Sequence, residues 1–576
     1  MQRTPSFTVL AVDLTTGTGR SLPFSSSTQC LGGSGLAAAL YERHGLPLAP
    51  SSDPEQPIAF SIGPLTGFFP AMSKTVCGFV SPHTGQYAES HAGGKLALAL
   101  RHAGYDALLL TGRAPQPSVL TVGRGGARLT EAPHLVGLPC EAVHDAVNVA
   151  QTRATGWQSI TVTGPAADNG CTFACATVDR HRHFGRLGLG TALAAKNIKA
   201  LVVLGDGMLE LPDSDAYTAL HREMFRLASR SPALEKYRGT GTAQILSQIN
   251  ALSALPWRNL RHTNDPRADA ISGERIPYAL PVRKAACAGC PIGCIHLGAL
   301  PSQGTEVPRL VGYDYEHMVC CGSMLSLADP RQVLELLAEI EAQGLDVVST
   351  GVGLAWATEA LERGLINETD TGLALRFGEA SAYVRAVQLL GGAANDFWKA
   401  LGHGARHAAS IYGGQDFACV LGQEMAGYAC GPVFFAAQAL NFRNSHLDNA
   451  CYSFDMEHPQ ASPEVAARFL LDDERERVVI NCMVACLFAR HIYPPEVLAD
   501  CLSTVGHTSA AQNLEAISSE VRRQRWQHKF ATGFDPDAVR IPKRYTEVTT
   551  SRGPVTAEAV EAMRKAYATA IRDLLR

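Results

Sequence analysis

Residues 287–294 read Cys-Ala-Gly-Cys-Pro-Ile-Gly-Cys, and this stretch is the most informative part of the chain. Three thiols at the spacing C-x2-C-x3-C, in a loop shaped by proline and glycine, can approach one metal centre from three sides. Zinc sites more often use two C-x2-C pairs, or one pair with histidines. A [4Fe–4S] cluster needs four thiolates. The loop therefore favours an iron–sulfur cluster on Cys287, Cys290 and Cys294, with zinc or a purely structural loop as the alternatives.

The fourth thiolate must come from elsewhere among the 16 cysteines of the chain. A disulfide scaffold is not expected in such a long chain, and most isolated cysteines read as small buried side chains. Cys482 and Cys486 are four residues apart in a segment predicted to be helical, which would place both on one face. Spacing alone leaves the choice open. The candidates are Cys320, Cys321, Cys430, Cys451, Cys482 and Cys486.

The composition narrows the class of protein. The chain has 576 residues, of which 46% are hydrophobic and only 18% charged, below the roughly 25% charged residues of average domains. This balance predicts a large core and a buried site or interface. The net charge is −4, without a basic run, which argues against nucleic acid as a partner.

Neither a membrane span nor a signal peptide is expected. The longest apolar stretch, 478–489, contains Asn481 and is shorter than the about 20 residues that a spanning helix needs. The first residues lack the basic, apolar and small-residue regions of a signal peptide. We therefore expect a cytoplasmic protein.

The pattern of apolar residues changes near residue 209. Before it, β-rich runs such as 7–14, 107–110 and 159–162 alternate with Gly-Pro turns. After it, apolar residues recur at i, i+3, i+4 and i+7, which is typical of amphipathic helices. The sequence predicts an α+β protein with a β-rich N-terminal domain (1–208) and two mainly helical domains (209–415 and 416–576). The segments predicted to be helical are 213–228, 330–341, 352–363, 379–390, 463–471, 474–488 and 557–574.

Two glycine-rich loops are candidate anion sites. Residues 185–190 read Gly-Arg-Leu-Gly-Leu-Gly and are predicted to open a helix carrying 196–199; residues 93–95 read Gly-Gly-Lys. Free N–H groups at the start of a helix attract phosphate, and Arg186 could add a bidentate contact. Such loops are more often simple turns, so these remain hypotheses on their own.

Taken together, these pieces resemble the tungsten-containing aldehyde:ferredoxin oxidoreductase family along nearly the whole chain. Each glycine motif is weak alone, but their order and approximate spacing are specific. The matching segments are 32–36, 63–67, 81–85, 103–106, 164–166, 185–190, 196–200, 287–294, 315–316, 344–351, 443–446 and 486–488.

The resemblance implies a tungsten or molybdenum bis-pterin lying on the β-rich domain, closed over by the helical domains, with one [4Fe–4S] cluster as the electron exit. It selects Cys486 over Cys482 as the fourth thiolate. The implied partners are a small aldehyde and ferredoxin or an iron–sulfur electron-transfer subunit, and a homodimer is one assembly to consider. The implied cofactor-binding residues are Lys74, His91, Gly93, Gly94, Phe184, Gly185, Arg186, Gly188, Glu341, Gly344, Leu345, Asp346, Asn481 and Ala485.

The sequence departs from the family at several of these positions. Asn481 replaces an aspartate, and Lys74 replaces an arginine, which turns a forked donor into a single point donor. His91 stands where the family has an asparagine that helps to bind the Mg²⁺ bridging the pterin phosphates. Because Mg²⁺ prefers oxygen ligands, this ion is the least secure of the implied cofactors.

Glu316 and His446 match the pocket residues of the family. The resemblance implies that Glu316 activates water or the aldehyde hydrate and that His446 hydrogen-bonds the reacting oxygen during oxidation of an aldehyde to a carboxylic acid. Two alternatives stay open. One is an enzyme of the same fold that reduces an activated carboxylate or aromatic ring, using Cys320, Cys321 or Cys451. The other is an iron–sulfur electron-transfer subunit without pterin.

Overall fold

The computed structural model describes residues 6–25, 30–151, 155–302, 304 and 306–576. Strands prevail in the first part of the chain and helices in the remainder, so the predicted α+β class is confirmed. The strands are β1 (Phe7–Asp13), β2 (Thr18–Phe24), β3 (Ile58–Ser61), β4 (Thr75–Val80), β5 (Tyr87–Ala92), β6 (Ala107–Thr111), β7 (Ser118–Gly123), β8 (Gly126–Glu131), β9 (Trp157–Thr163), β10 (Ala176–Val178), β11 (Arg182–Phe184), β12 (Ile198–Gly205), β13 (Val282–Ala285), β14 (Ile295–Leu300), β15 (Arg309–Tyr313), β16 (Val420–Leu421), β17 (Gln423–Glu424), β18 (Thr549–Thr550) and β19 (Gly553–Pro554).

Helices form most of the chain after β12. The α-helices are α1 (Gly33–His44), α2 (Leu96–Ala103), α3 (Cys140–Ala150), α4 (Pro165–Asp168), α5 (Leu189–Ala195), α6 (Asp215–Arg230), α7 (Glu235–Gly239), α8 (Ile245–Ala251), α9 (Ile276–Ala279), α10 (Tyr315–Cys320), α11 (Pro330–Gln343), α12 (Val347–Glu362), α13 (Glu368–Thr371), α14 (Ala380–Gly391), α15 (Asp396–Gly402), α16 (Ala405–Tyr412), α17 (Pro432–Leu440), α18 (Cys451–Glu457), α19 (Pro463–Cys482), α20 (Pro495–Thr504), α21 (Thr508–Gln512), α22 (Leu514–Ala531) and α23 (Ala557–Asp573).

Two six-stranded mixed sheets form the N-terminal part. Their orders are β2-β1-β6-β3-β4-β5 and β11-β10-β9-β12-β7-β8, with one parallel pair in each, β1 with β6 and β12 with β7. Alternate residues of β1 point to opposite faces. Val9 packs in the core under α1, whereas Leu10 and Val12 join the core that the two sheets share with α2.

The largest core lies among the helices. Helix α12 is buried almost all round from Val348 to Ala360, as expected of a helix with apolar and small residues on every face. It begins at Asp346, whose side chain accepts hydrogen bonds from the backbone N–H groups of Val348 and Ser349.

The structure corrects the sequence prediction at two helix ends. Helix α19 runs unbroken to Cys482, and Cys486 lies beyond it at the start of the 3₁₀ turn Leu487–Ile492, so the two cysteines do not share a helical face. Helix α5 ends at Ala195, so residues 196–199 lead into β12 and are not carried on the helix. Within the described ranges, no helix is both long and apolar enough to span a bilayer.

Candidate functional site

The cysteine loop 287–294 connects β13 to β14 and is joined to Cys486 through one residue, Ala71. The N–H of Ala71 donates to the carbonyl of Gly289 at 3.2 Å, and the N–H of Cys486 donates to the carbonyl of Ala71 at 2.9 Å. Segments from three distant parts of the chain are thereby fixed beside one another.

The four predicted cluster thiols interact electrostatically. Burial, together with the neighbouring Cys486, Cys287 and Cys294 thiols, raises the pKa of Cys290 to about 12. Burial also raises the pKa of Cys294 to about 12, against the lowering effect of Arg182 and Lys74. Crowded buried thiols of this kind ionise readily only when bound metal compensates their charge.

A single metal ion and an iron–sulfur cluster require different arrangements of their ligands. Across the described chain, no group of three or more histidine, cysteine, aspartate or glutamate side chains is arranged to hold one metal ion. A [4Fe–4S] cluster takes one thiolate at each iron, so its ligands surround it and do not converge on one point.

Because Gly93 has no side chain, the cysteine loop 287–294 can approach it closely. A Cβ atom at this position would lie 2.5 Å from Sγ of Cys287, which no side chain tolerates. The carbonyl of the next residue, Gly94, accepts the N–H of Ala288 at 3.1 Å. Gly93 and Gly94 therefore contact the cysteine loop 287–294. This contact fixes where the pair lies, and so where it could meet a phosphate.

A cavity of about 320 Å³ lies next to the cysteine loop, between the sheets and the helices. Cys294 lines it, so the loop and the cavity share a wall. The predicted cofactor-binding residues that line it are Lys74, His91, Gly185, Arg186, Glu341, Asn481 and Ala485.

Other predicted residues lie outside the wall of this cavity. Phe184 is fully buried, with its ring 5.6 Å from that of Phe60. Gly188 is a packing position, since a Cβ there would lie 2.0 Å from the carbonyl oxygen of Thr172. Gly344 and Leu345 contact the N-terminal part by backbone: the N–H of Cys175 donates to the carbonyl of Gly344 at 2.8 Å.

The cavity contains buried polar atoms without a hydrogen-bond partner. Among the described residues these include Nδ1 of His181, Nε of Arg182 and Nε2 of His183. Unpaired buried polar atoms are costly, so their clustering points to a bound polar group, which must offer an acceptor to Nε of Arg182. Together with Lys74, Arg186 and Arg443, they fit an anionic cofactor such as a pterin carrying phosphates.

Sequence reasoning missed the residues at the start of β11, His181, Arg182 and His183, which form part of this wall. Residues 180–183 read Arg-His-Arg-His, a run of donors immediately before the glycine loop, and this pattern was a usable signal. The backbone segment 240–243, which also lines the cavity, carries no comparable signal.

Two glutamate side chains that line the cavity differ in protonation state. Burial raises the pKa of Glu341 to about 8, against the lowering effect of Arg309. Glu89 is buried too, but Arg525 and His91 together outweigh burial and lower its pKa to about 2. Nε2 of His91 lies 3.5 Å from Oε2 of this ionised carboxylate.

Arg186 connects the cavity to Asp346. Its Nε atom is 3.2 Å from Oδ2 of Asp346, and its Nη2 donates to the carbonyl of Glu424 at 2.8 Å. The Asp346 carboxylate thus accepts hydrogen bonds from the first N–H groups of α12 and also holds Arg186 in the cavity wall.

Glu316 and His446 are brought together at the edge of the cavity. Oε1 of Glu316 lies 3.4 Å from Nε2 of His446, and both neighbours of His446, Ser445 and Leu447, line the cavity. The other oxygen of Glu316 accepts the N–H of Gly427 at 2.7 Å. Burial raises the pKa of Glu316 to about 8 and lowers that of His446 to about 3, with Arg186 lowering both.

Oε1 of Glu316 and Nδ1 of His446 have no hydrogen-bond partner in the described chain. A neutral carboxyl group beside a neutral imidazole can exchange a proton with a molecule that contacts both groups from the cavity side. The pair is suited to acid–base chemistry.

Comparison with known proteins places this geometry in a family. The model described as "Aldehyde ferredoxin oxidoreductase, N-terminal domain" matches residues 9–205. The model described as "Aldehyde ferredoxin oxidoreductase, domains 2 & 3" matches residues 219–571.

Individual relatives agree with the family models. The tungsten-containing aldehyde ferredoxin oxidoreductase of Thermococcus kodakarensis is 26% identical over 95% of this chain and 92% of its own length. That of Pyrococcus abyssi is 31% identical over 63% of this chain, a match spanning 60% of that relative.

A solved structure shares the fold. The active-site complex BamBC of benzoyl coenzyme A reductase, solved with 1,5-dienoyl-CoA, superposes with a TM-score of 0.82 at 17% identity. The match covers 98% of this chain and 95% of that chain. The family models span most of the sequence, and the chain belongs to the aldehyde ferredoxin oxidoreductase family.

Proposed function

We propose that this protein oxidises an aldehyde to a carboxylic acid by means of a tungsten or molybdenum bis-pterin, and passes the electrons through one [4Fe–4S] cluster to ferredoxin or a similar carrier. The observation that carries the proposal is the shared wall: Cys294 of the three-cysteine loop 287–294 lines the same cavity as the unpaired polar atoms of His181, Arg182 and His183. The relatives named above as tungsten-containing support the choice of cofactor.

Each cofactor has residues that would hold it. Cys287, Cys290, Cys294 and Cys486 would bind the cluster. Lys74, His91, Arg182, Gly185, Arg186, Glu341, Asn481 and Ala485 would bind the pterins and their phosphates, and Mg²⁺ between those phosphates would need oxygen ligands besides His91. When bound, the metal–pterin centre supplies two-electron oxidation and the cluster releases electrons singly.

The protein contributes position and proton transfer. Glu316, held by the N–H of Gly427, takes a proton from water or the aldehyde hydrate at Oε1. His446, whose low pKa keeps it neutral, offers Nε2–H or its lone pair to the substrate oxygen. Arg186 carries a fixed charge that favours the ionised form of Glu316.

The experiment is a metal and substrate assay on one preparation. Protein produced with tungstate and molybdate supplied should contain one of these metals, pterin and about four irons per chain, and should reduce a viologen dye with an aldehyde. Absence of both metals and of pterin would contradict the class of enzyme. Metal without activity on any aldehyde would favour the reductive alternative, for which the screen also includes activated carboxylates and aromatic thioesters.

The cysteines considered for the reductive alternative are placed differently. Cys320, Cys321 and Cys451 are fully buried, and Cys294 is the cysteine that lines the cavity within the described chain. The oxidative function therefore fits the site better.

A further inference from the structure

A second cavity lies behind the cofactor cavity and is separated from it by one short strand. This outer cavity has a volume of about 660 Å³ and opens to the surface beside the exposed residues His403, Arg406 and His407. In β17, Gln423 lines the cofactor cavity and the next residue, Glu424, lines the outer cavity. The alternation of side chains along a strand thus makes β17 the wall between the two spaces.

Four buried polar side chains cross this wall in a continuous row, which we name the relay chain: Asp346, Ser349, Glu424 and His83. Oγ of Ser349 lies 2.5 Å from Oδ2 of Asp346 and 2.8 Å from Oε2 of Glu424. The same Oε2 atom lies 3.1 Å from Nε2 of His83, which lines the outer cavity. Arg186, in the cofactor cavity, contacts the inner end of the chain at Asp346.

The hydrogen atoms in this chain can be counted. The hydroxyl of Thr172 donates to the carbonyl of Gly402, so it accepts a hydrogen bond from Nδ1 of His83. The contact of Nε2 with Glu424 then requires one further proton, on either the imidazole or the carboxyl group.

Ser349 has one hydroxyl hydrogen but two carboxylate contacts. It can donate to Asp346 or to Glu424, and the other contact forms a hydrogen bond only when a carboxyl group carries a proton. With a neutral imidazole and two ionised carboxylates, the relay chain is therefore two protons short of forming all three hydrogen bonds, and a shift of the serine hydrogen would pass a proton across the wall.

Burying the polar and charged side chains of the relay chain carries a desolvation cost. Asp346, Ser349 and Glu424 are each at most 4% exposed. Burial disfavours the ionised form of Glu424, but His83 and the N–H of Ala405 outweigh it and hold its pKa at about 2. Packing alone would be served by apolar side chains, which avoid the desolvation cost.

We propose that the relay chain carries protons from the cofactor cavity to the outer cavity during turnover. This inference rests on the proposed function. When water adds its oxygen to the carbonyl carbon and the C–H bond breaks, an aldehyde and one water give a carboxylate, two electrons and three protons. The electrons leave through the cluster to a ferredoxin-type carrier, and the protons need a route of their own. Between Glu316 and Asp346 the proton would have to travel through solvent beside Arg186, because the guanidinium itself does not release a proton.

The test uses the cofactor-loaded protein and chemical rescue. His83→Ala should lower kcat about tenfold or more, less than the 10²–10⁴ of a direct acid–base group because water carries part of the flux. KM for the aldehyde should stay unchanged. Added imidazole should enter the outer cavity and restore kcat in this variant but not accelerate the wild type.

Two further variants separate proton transfer from structure. His83→Gln retains hydrogen bonding to Thr172 and Glu424 but cannot take up a proton, so it should be slow and not rescued. His407→Ala, in the same cavity but outside the relay chain, should behave as wild type. Tungsten, molybdenum and iron contents of all variants should match, which excludes misfolding.

An independent readout is the infrared difference spectrum between the reduced and oxidised protein. It should show a shifted carboxylate stretching band that disappears in Glu424→Gln, because the hydrogen bonds to this carboxylate change when the serine hydrogen moves. Unchanged kcat in both His83 variants, or a spectrum without this band, would overturn the relay while leaving aldehyde oxidation intact. A wild type inactive on every aldehyde would instead overturn the proposed function, and the relay of aldehyde-derived protons with it.

Discussion

At the scale of single residues, Glu316 and His446 show how one environment produces two useful protonation states. Burial disfavours charge on both side chains. The carboxyl group of Glu316 therefore keeps its proton up to about pH 8, and the imidazole of His446 stays neutral down to about pH 3. Paired groups with oppositely shifted pKa values are typical of acid–base sites. Their shared position, 3.4 Å apart, makes them the strongest candidates for catalysis.

Glu316→Gln and His446→Asn should each lower turnover by about 10²–10⁴, the usual worth of a positioned acid–base group. Because Glu316 acts as a base when ionised, wild-type turnover should rise as the pH increases through about 8, and Glu316→Gln should lose this dependence. Aldehyde-dependent viologen reduction at matched metal and iron content measures both effects. Equal rates, or a wild-type profile that is flat around pH 8, would remove Glu316 from the mechanism.

At the scale of elements, the segment after α19 determines which cysteine reaches the cluster loop. The helix ends at Cys482, Val484 adopts a positive φ of 53°, and Cys486 starts a new turn beside Ala71. The change of direction leaves Cys482 fully buried and Cys486 partly exposed.

Cys486→Ala should therefore lose or degrade the iron–sulfur cluster, whereas Cys482→Ala should keep it. Iron and sulfide analysis with an electron paramagnetic resonance spectrum of the reduced protein measures the difference. Cys482→Ala is the matched control because Cys482 lies in the same segment and its substitution also removes only the sulfur. Equal iron in the two variants would show that Cys486 is not a ligand.

At the scale of the whole molecule, one buried ion pair joins the N-terminal sheet to a C-terminal helix. Nε of Arg525, in α22, lies 2.7 Å from Oε1 of Glu89 in β5, and both side chains are at most 1% exposed. Burial opposes ionisation of Glu89, but Arg525 and His91 together overcome it and lower its pKa. Since the pKa of Glu89 is lowered, the pair stabilises the fold above about pH 4.5, and this contribution is lost as the pH falls toward about 2.

Arg525→Met should destabilise the protein by about 3–5 kcal/mol, because it leaves a buried carboxylate without its partner. The double variant Arg525→Met with Glu89→Gln should recover part of that loss. Thermal unfolding monitored by circular dichroism compares them with Arg523→Met, whose exposed pair with Glu520 should contribute only about 0–1 kcal/mol. A single Arg525 variant as stable as Arg523→Met would show that the pair does not stabilise the fold.

Much of this architecture could be predicted from the sequence. The C-x2-C-x3-C loop and the ordered glycine motifs identified the family, and periodic segments such as 330–341 matched helices of the structure. The end of α19 was missed because a positive φ at a valine leaves no pattern in sequence. The Arg186 contact with Asp346 and the relay chain were missed because they join residues far apart in the chain. The division at 208 and 415, and the ligand roles of the site residues, stay predictions.

The bridge through Ala71 also bears on how the cell builds this protein. The loop 287–294 emerges from the ribosome long before Cys486, and the backbone contacts of Ala71 unite the two only after α19 has folded onto the sheets. Contacts between such distant segments form late. With Cys486 as the proposed fourth ligand, the complete set of thiols would exist only on a nearly complete chain, so cluster insertion would be a late step of biogenesis.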